Sequence, residues 1–157
     1  MSTPRLVRWL VVILSVISAS ISCAAPPLQV ENPWIPEAPP VSAVLAGYVT
    51  LINAGDDAVT IAAVSSDAFD RVEIHRTVMQ QGMARMEPQD TLTIPAHDRV
   101  QLKPGGLHLM LIKPKQALKN GDQVDLSLKL SSGDTITTRF VVKRSTADAD
   151  AHQHHHH

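Results

Sequence analysis

Leu107-His108-Leu109-Met110-Leu111 is the stretch on which the reading of this chain turns. Side chains alternate across a β-strand, so Leu107, Leu109 and Leu111 share one face while His108 and Met110 share the other. Methionine normally joins leucines in a core. Here it stands with an imidazole on the face the leucines leave, which is unexpected for a thioether unless something binds it. Val72-Glu73-Ile74-His75 repeats the arrangement, with Val72 and Ile74 inward and Glu73 and His75 outward. Two strands are thus expected to carry imidazoles on exposed faces.

Working outward, four of the five methionines (Met79, Met83, Met86 and Met110) fall between His75 and Met110, as do all three histidines outside the tail. Gln80-Gln81-Gly82 reads as a hairpin turn between two short extended runs, which would set Met86 diagonally across from His75. The candidate ligand set is His75, Met86, His108 and Met110. Thioether sulfur is a soft, neutral donor that favours Cu(I), whereas Zn takes thiolate, imidazole or carboxylate and Ca or Mg takes oxygen. Met79 and Met83 are weaker candidates: an auxiliary landing surface is one reading, hairpin packing the other. For Glu73 a solvated carboxylate is the preferred reading, with a role in fixing the His75 tautomer as the alternative. His97, in Pro95-Ala96-His97-Asp98, reads as surface.

The spacing H-x10-M-x21-H-x-M from His75 to Met110, and the run Lys103-Pro104-Gly105-Gly106-Leu107-His108-Leu109-Met110-Leu111, resemble the periplasmic copper chaperones (PCuAC type) that supply the CuA centre of cytochrome c oxidase. The resemblance covers roughly Val30 to Val142, and all four ligand positions hold the expected residue type. It implies an all-β, cupredoxin-like Greek-key β-sandwich and a surface Cu(I) site. The residue pattern agrees from Val41 onward, with short apolar runs separated by turn clusters such as Asn53-Ala54-Gly55-Asp56-Asp57. Val124-Asp125-Leu126-Ser127-Leu128-Lys129-Leu130 alternates cleanly, as an antiparallel strand with one wet face should. Helical turns are expected at most at Asp67 to Asp70 and Gln116 to Lys119.

At the amino terminus, Arg5 and Arg8 precede an apolar run from Trp9 to about Ile21, and small residues follow at Ser22, Ala24 and Ala25. This is the layout of a secretory signal peptide over residues 1–24, too short for a stable bilayer span, and it places the mature chain in the periplasm. Ile21-Ser22-Cys23 partly fits a lipobox, with Ser20 where leucine is usual, so lipid anchoring at Cys23 is the minor alternative. Cys23 is the chain's single cysteine, and a cut after it leaves no thiol for a disulfide or a blue-copper ligand. Met and His ligands suit an oxidising compartment in which a thiol carrier could be lost to disulfides.

A single domain is expected over residues 25–144, led by a proline-rich extended segment, residues 25–40, in which Trp34 packs at the sandwich edge. Loss of Arg5 and Arg8 with the leader leaves 12 basic against 15 acidic residues, a net charge of −3 that offers nucleic acid no basic field. Residues 145–157 are polar and end in His152, His154, His155, His156 and His157. They are expected to be disordered, and read as a native tail rather than a purification tag because the leader is retained and an extra histidine precedes Gln153. Imidazoles without sulfur suit Cu(II).

No nucleophile and base, phosphate loop or paired acid and base stands in a recognisable arrangement, so the expected function is not enzymatic. The resemblance implies a monomeric Cu(I) chaperone that serves the CuA subunit of cytochrome c oxidase, working with a Sco-type thiol protein. General periplasmic copper buffering or resistance, a copper redox protein, and a metal-free structural adhesin are the rivals.

Overall fold

Alternation of apolar and polar side chains shapes nearly every strand. The computed structural model describes residues 28–144, and ten strands account for most of them: β1 (Leu28–Pro36), β2 (Val44–Asn53), β3 (Val59–Ser65), β4 (Phe69–Gln80), β5 (Met83–Gln89), β6 (Leu92–Ile94), β7 (Arg99–Leu102), β8 (Leu107–Pro114), β9 (Gln123–Leu130) and β10 (Thr135–Lys143). No helix occurs among the described residues; Asp67 lies in a turn, and 116–119 form an irregular connection. The expected leader with Cys23 and the histidine-rich tail lie outside the described residues.

Hydrogen-bonded neighbours run β4-β8-β2-β1-β10-β9-β3, and β3 returns to β4 through the pair Val64↔Val72, closing a seven-stranded barrel. β5 extends from β4, β6 from β3 and β7 from β2. Closure removes most free strand edges. Inside, residues with no exposure include Ile35, Leu111, Leu126, Phe140 and Val142, each contributed by the inward half of its strand's alternation. Asn53 is buried there too, but its side-chain amide donates to the carbonyls of Asp57, Ile94 and Pro95 and its Oδ1 accepts from the Gly55 N–H, so the polar group is satisfied.

Leu28–Pro36 is a full strand of the barrel wall, antiparallel to β2 and parallel to β10. Proline is tolerated because Pro33 falls within the register shift between Glu31 and Trp34, where no ladder bond is required of it. Trp34 therefore sits on an interior strand, not at an edge, with its ring 5.0 Å from that of Tyr48 between centroids.

Leu111, with no exposure at all, anchors the inner face of β8. Leu111→Ala is expected to lower unfolding stability by about 2–5 kcal/mol, the range for buried leucine truncations, read from the urea midpoint.

Candidate metal centre

The antiparallel register of β4 on β8 sets His75 directly opposite His108 and Glu73 opposite Met110. Residues paired this way carry their side chains on the same face, with Cβ atoms about 4.5–5.5 Å apart. The two imidazole centroids lie 6.1 Å apart with planes tilted by 41°. On the other side of β4, β5 pairs Thr77 with Met86 and His75 with Pro88. The hairpin between them closes through Gln81 at φ 52° and Gly82 at φ 78°, two left-handed residues as a type I′ turn demands. Met86 consequently shares the face of His75 and stands diagonal to it, as the spacing predicted. All four candidate ligands therefore lie on one face across three adjacent strands, β5, β4 and β8.

Their burial is not what alternation alone suggested. The imidazoles have the parity that points away from the barrel interior, yet His75 is 7% and His108 5% exposed. Met110 is half-buried and Met86 remains 57% exposed. The site is thus a covered imidazole pair with its wet side toward Met86.

Each ring has one nitrogen engaged and one bare. The loop Lys103-Pro104-Gly105-Gly106 turns through Gly105 at φ 75°, and the Gly106 carbonyl accepts both the Thr77 N–H at 3.1 Å and His108 Nδ1–H at 3.1 Å. His108 Nε2 is buried with no hydrogen-bond partner. His75 mirrors this: Nε2–H donates to Glu73 Oε2 at 2.8 Å, and Nδ1 is buried and unpartnered. A buried polar atom without a partner is costly unless a ligand completes it, and imidazoles oriented through their second nitrogen are the usual form of metal-binding histidine. Glu73 is held in turn by Arg71 Nε at 2.6 Å. The tautomer-fixing role thus describes Glu73, and the simpler solvated reading does not.

The hydrogen bond from His75, with the charge of Arg71 beside it, keeps the Glu73 carboxyl below its ordinary range. A carboxyl with a lowered folded value stabilises the fold above its unfolded value, and the contribution is lost as pH falls through the folded one.

Met79 and Met83 are 71% and 57% exposed, on the part of the β4–β5 ribbon that extends past Arg76↔Leu107, so packing does not explain them. Met79 keeps the parity of His75, whereas Met83 pairs with Gln80 on the opposite face. His97 is a surface residue bonded to Asp56 at 3.0 Å. His152, His154, His155, His156 and His157 lie outside the described residues. No three His, Cys, Asp or Glu side chains group to hold a metal among the described residues. Sequence reading passed over Tyr48, whose outward position was visible in the alternation of β2 but whose neighbours depended on register.

Nitrogen-15 NMR of the histidines is expected to show His108 as the Nδ1–H tautomer and His75 as the Nε2–H tautomer. In acid titrations followed by urea unfolding, Glu73→Gln should flatten the loss of stability that the parent shows as pH falls through the lowered Glu73 value.

The fold agrees with what comparison finds. The family model described as "Putative lipoprotein LpqE-like" matches residues 28–142. The "Putative lipoprotein Lxx21020" of Leifsonia xyli subsp. xyli is 30% identical over 117 residues, covering 74% of this chain and 69% of that protein. The "Uncharacterized protein RP573" of Rickettsia prowazekii is 36% identical over 83 residues, 52% of this chain and 46% of that one, so this match spans less than half of its length. Among solved structures, CuI-DR1885 from Deinococcus radiodurans superposes with a TM-score of 0.64 at 29% identity, covering 79% of this chain and 83% of that one. The copper-bound PCuAC domain from PmoF2 gives 0.66 at 20% identity over 78% of this chain and 97% of that domain, a likeness of fold. The cupredoxin-like, all-β architecture is shared with these domains, and the chain belongs to the LpqE-like family.

Proposed function

We propose that this protein is a periplasmic carrier of Cu(I), held by His75, Met86, His108 and Met110, and that it delivers the ion to the CuA site of cytochrome c oxidase. The observation that carries the reading is the pair of bare ring nitrogens, His75 Nδ1 and His108 Nε2, buried on facing strands with thioethers on the same face. Two imidazoles and two thioethers form a neutral, soft donor set that prefers Cu(I) to harder ions. The similarity to CuI-DR1885 and to a copper-bound PCuAC domain supports copper as the cargo.

The arrangement also suits hand-over. Rings fixed by Glu73 and Gly106 keep two donors in place, while the exposed Met86 offers the position where an acceptor's ligand enters first. Because the donors are neutral, the bound ion keeps its charge, and affinity rests on sulfur and nitrogen softness without a thiolate's grip. The amino-terminal leader carries the chain to the periplasm, and the lipoprotein description of its family supports attachment through Cys23 more strongly than the lipobox alone.

Competition with a chromophoric Cu(I) chelator is expected to show Met86→Leu, Met110→Leu, His75→Ala and His108→Ala weakened by at least the roughly 10–100-fold seen when metal-site partners are lost elsewhere. Cu(I) at a hundred times its dissociation constant should stabilise the parent by about 2.7 kcal/mol. Copper should pass from the loaded chain to an apo CuA domain, read by metal analysis after separation; retention by the chain with tight Cu(I) binding would leave buffering as the function.

A further inference from the structure

Tyr48 and Trp34 stand on the metal face, and the donor set does not use them. Along β2 alternation turns Val44, Ala46, Tyr48 and Thr50 outward. Ala46 pairs with Met110 and Gly47 with Leu109, the last rung before β2 passes to β7 at Val49↔Leu102, so Tyr48 follows at the end of this ladder with the outward parity of Ala46 and Met110. Trp34 pairs with Tyr48 from the far side, their rings 5.0 Å apart and tilted by 47°. The outward face thus carries two cross-strand pairs, His75 with His108 on β4 and β8 and Tyr48 with Trp34 on β2 and β1, on neighbouring strands.

The backbone departs from regularity to make the second pair. Continuing Glu31↔Thr50 in step would put Pro33 opposite Tyr48, but an extra residue between Glu31 and Trp34 shifts the register. Asn32 takes it up at φ 50°, a conformation disfavoured for a residue with a side chain and before proline alike. The shift turns Trp34 onto the metal face and returns Ile35 to the core with no exposure. Bulges that re-aim one side chain recur beside functional sites.

Beside a site of neutral donors, a bound cation keeps its full charge, and the nearest carboxylate, Glu73, is already engaged by Arg71 and His75. An aromatic face attracts a cation within about 6 Å through its ring quadrupole. We propose that Tyr48, held in place by Trp34, is a further binding residue of this site: its ring walls the His108 side, faces the cation, and leaves ligand exchange to the Met86 side. This rests on the Cu(I) reading above.

The test uses the full chain carrying Trp9→Phe, which leaves Trp34 as its one tryptophan beside a single tyrosine. Silver(I), a redox-inert stand-in for Cu(I), is titrated while Trp34 emission, the Tyr48 ring resonances and the Met86 and Met110 methyl resonances are followed. All are expected to shift together and saturate at about one equivalent, as a single shared ion requires. In Cu(I) competition, Tyr48→Leu should bind about three- to tenfold more weakly and Tyr48→Phe within about twofold of the parent, since phenylalanine keeps the ring face. Trp34→Leu should weaken binding in the same sense, with Trp34→Phe restoring it. Moving methyls with static Tyr48 rings, or Leu variants that fold and bind as the parent does, overturn the proposal. Static methyls overturn the Cu(I) reading and this one with it. Should Tyr48→Leu fail to fold, the ring resonances of the parent side chains decide.

Discussion

The register between β4 and β8 is the constraint on which the rest depends. Seven paired positions from Phe69↔Pro114 to Arg76↔Leu107 hold it, and within them His75 meets His108. Because a strand's faces alternate with a period of two, a slip of β4 by one residue against β8 would turn β4 over, driving His75 inward and Ile74 outside while His108 kept its face. The apolar halves of the same strands, Val72, Ile74, Leu109 and Leu111, prevent that slip by being buried. Core packing and ligand geometry are therefore enforced by one ladder.

Much of this was legible in the residues because it follows from alternation. The outward parity of His75, His108 and Met110, and the hairpin that carries Met86 to a diagonal position, needed only period two and a turn at Gln81-Gly82. The all-β class followed from short apolar runs between turn clusters. What alternation cannot supply is the identity of neighbours on strands distant in sequence. That is why the imidazoles read as exposed although they are covered, and why Glu73 read as a free carboxylate although it binds His75 at 2.8 Å. The strand hidden in the proline-rich start escaped for a different reason: a bulge at Asn32-Pro33 absorbs the residue that proline composition argues against.

Ligand orientation is arranged by groups that are not ligands. The Gly106 carbonyl serves the Thr77 backbone and the His108 ring together, so the hydrogen bond that ties the glycine loop to β4 also selects the tautomer. Glu73 does the corresponding work for His75 and is steadied by Arg71. Preorganised nitrogens lose little freedom on binding, and this lets neutral donors compete without the charge of a thiolate.

The barrel's closing seam has a consequence for motion. β3 and β4 meet at the single pair Val64↔Val72, whereas β4 is joined to β8 at seven positions between Phe69 and Arg76. Thermal opening of the wall therefore begins by unfastening one rung, and β4 leaves with β8 and the β5 arm attached. In such a breathing excursion the two histidines travel as one body, so their mutual spacing survives a fluctuation that parts the cylinder beside them.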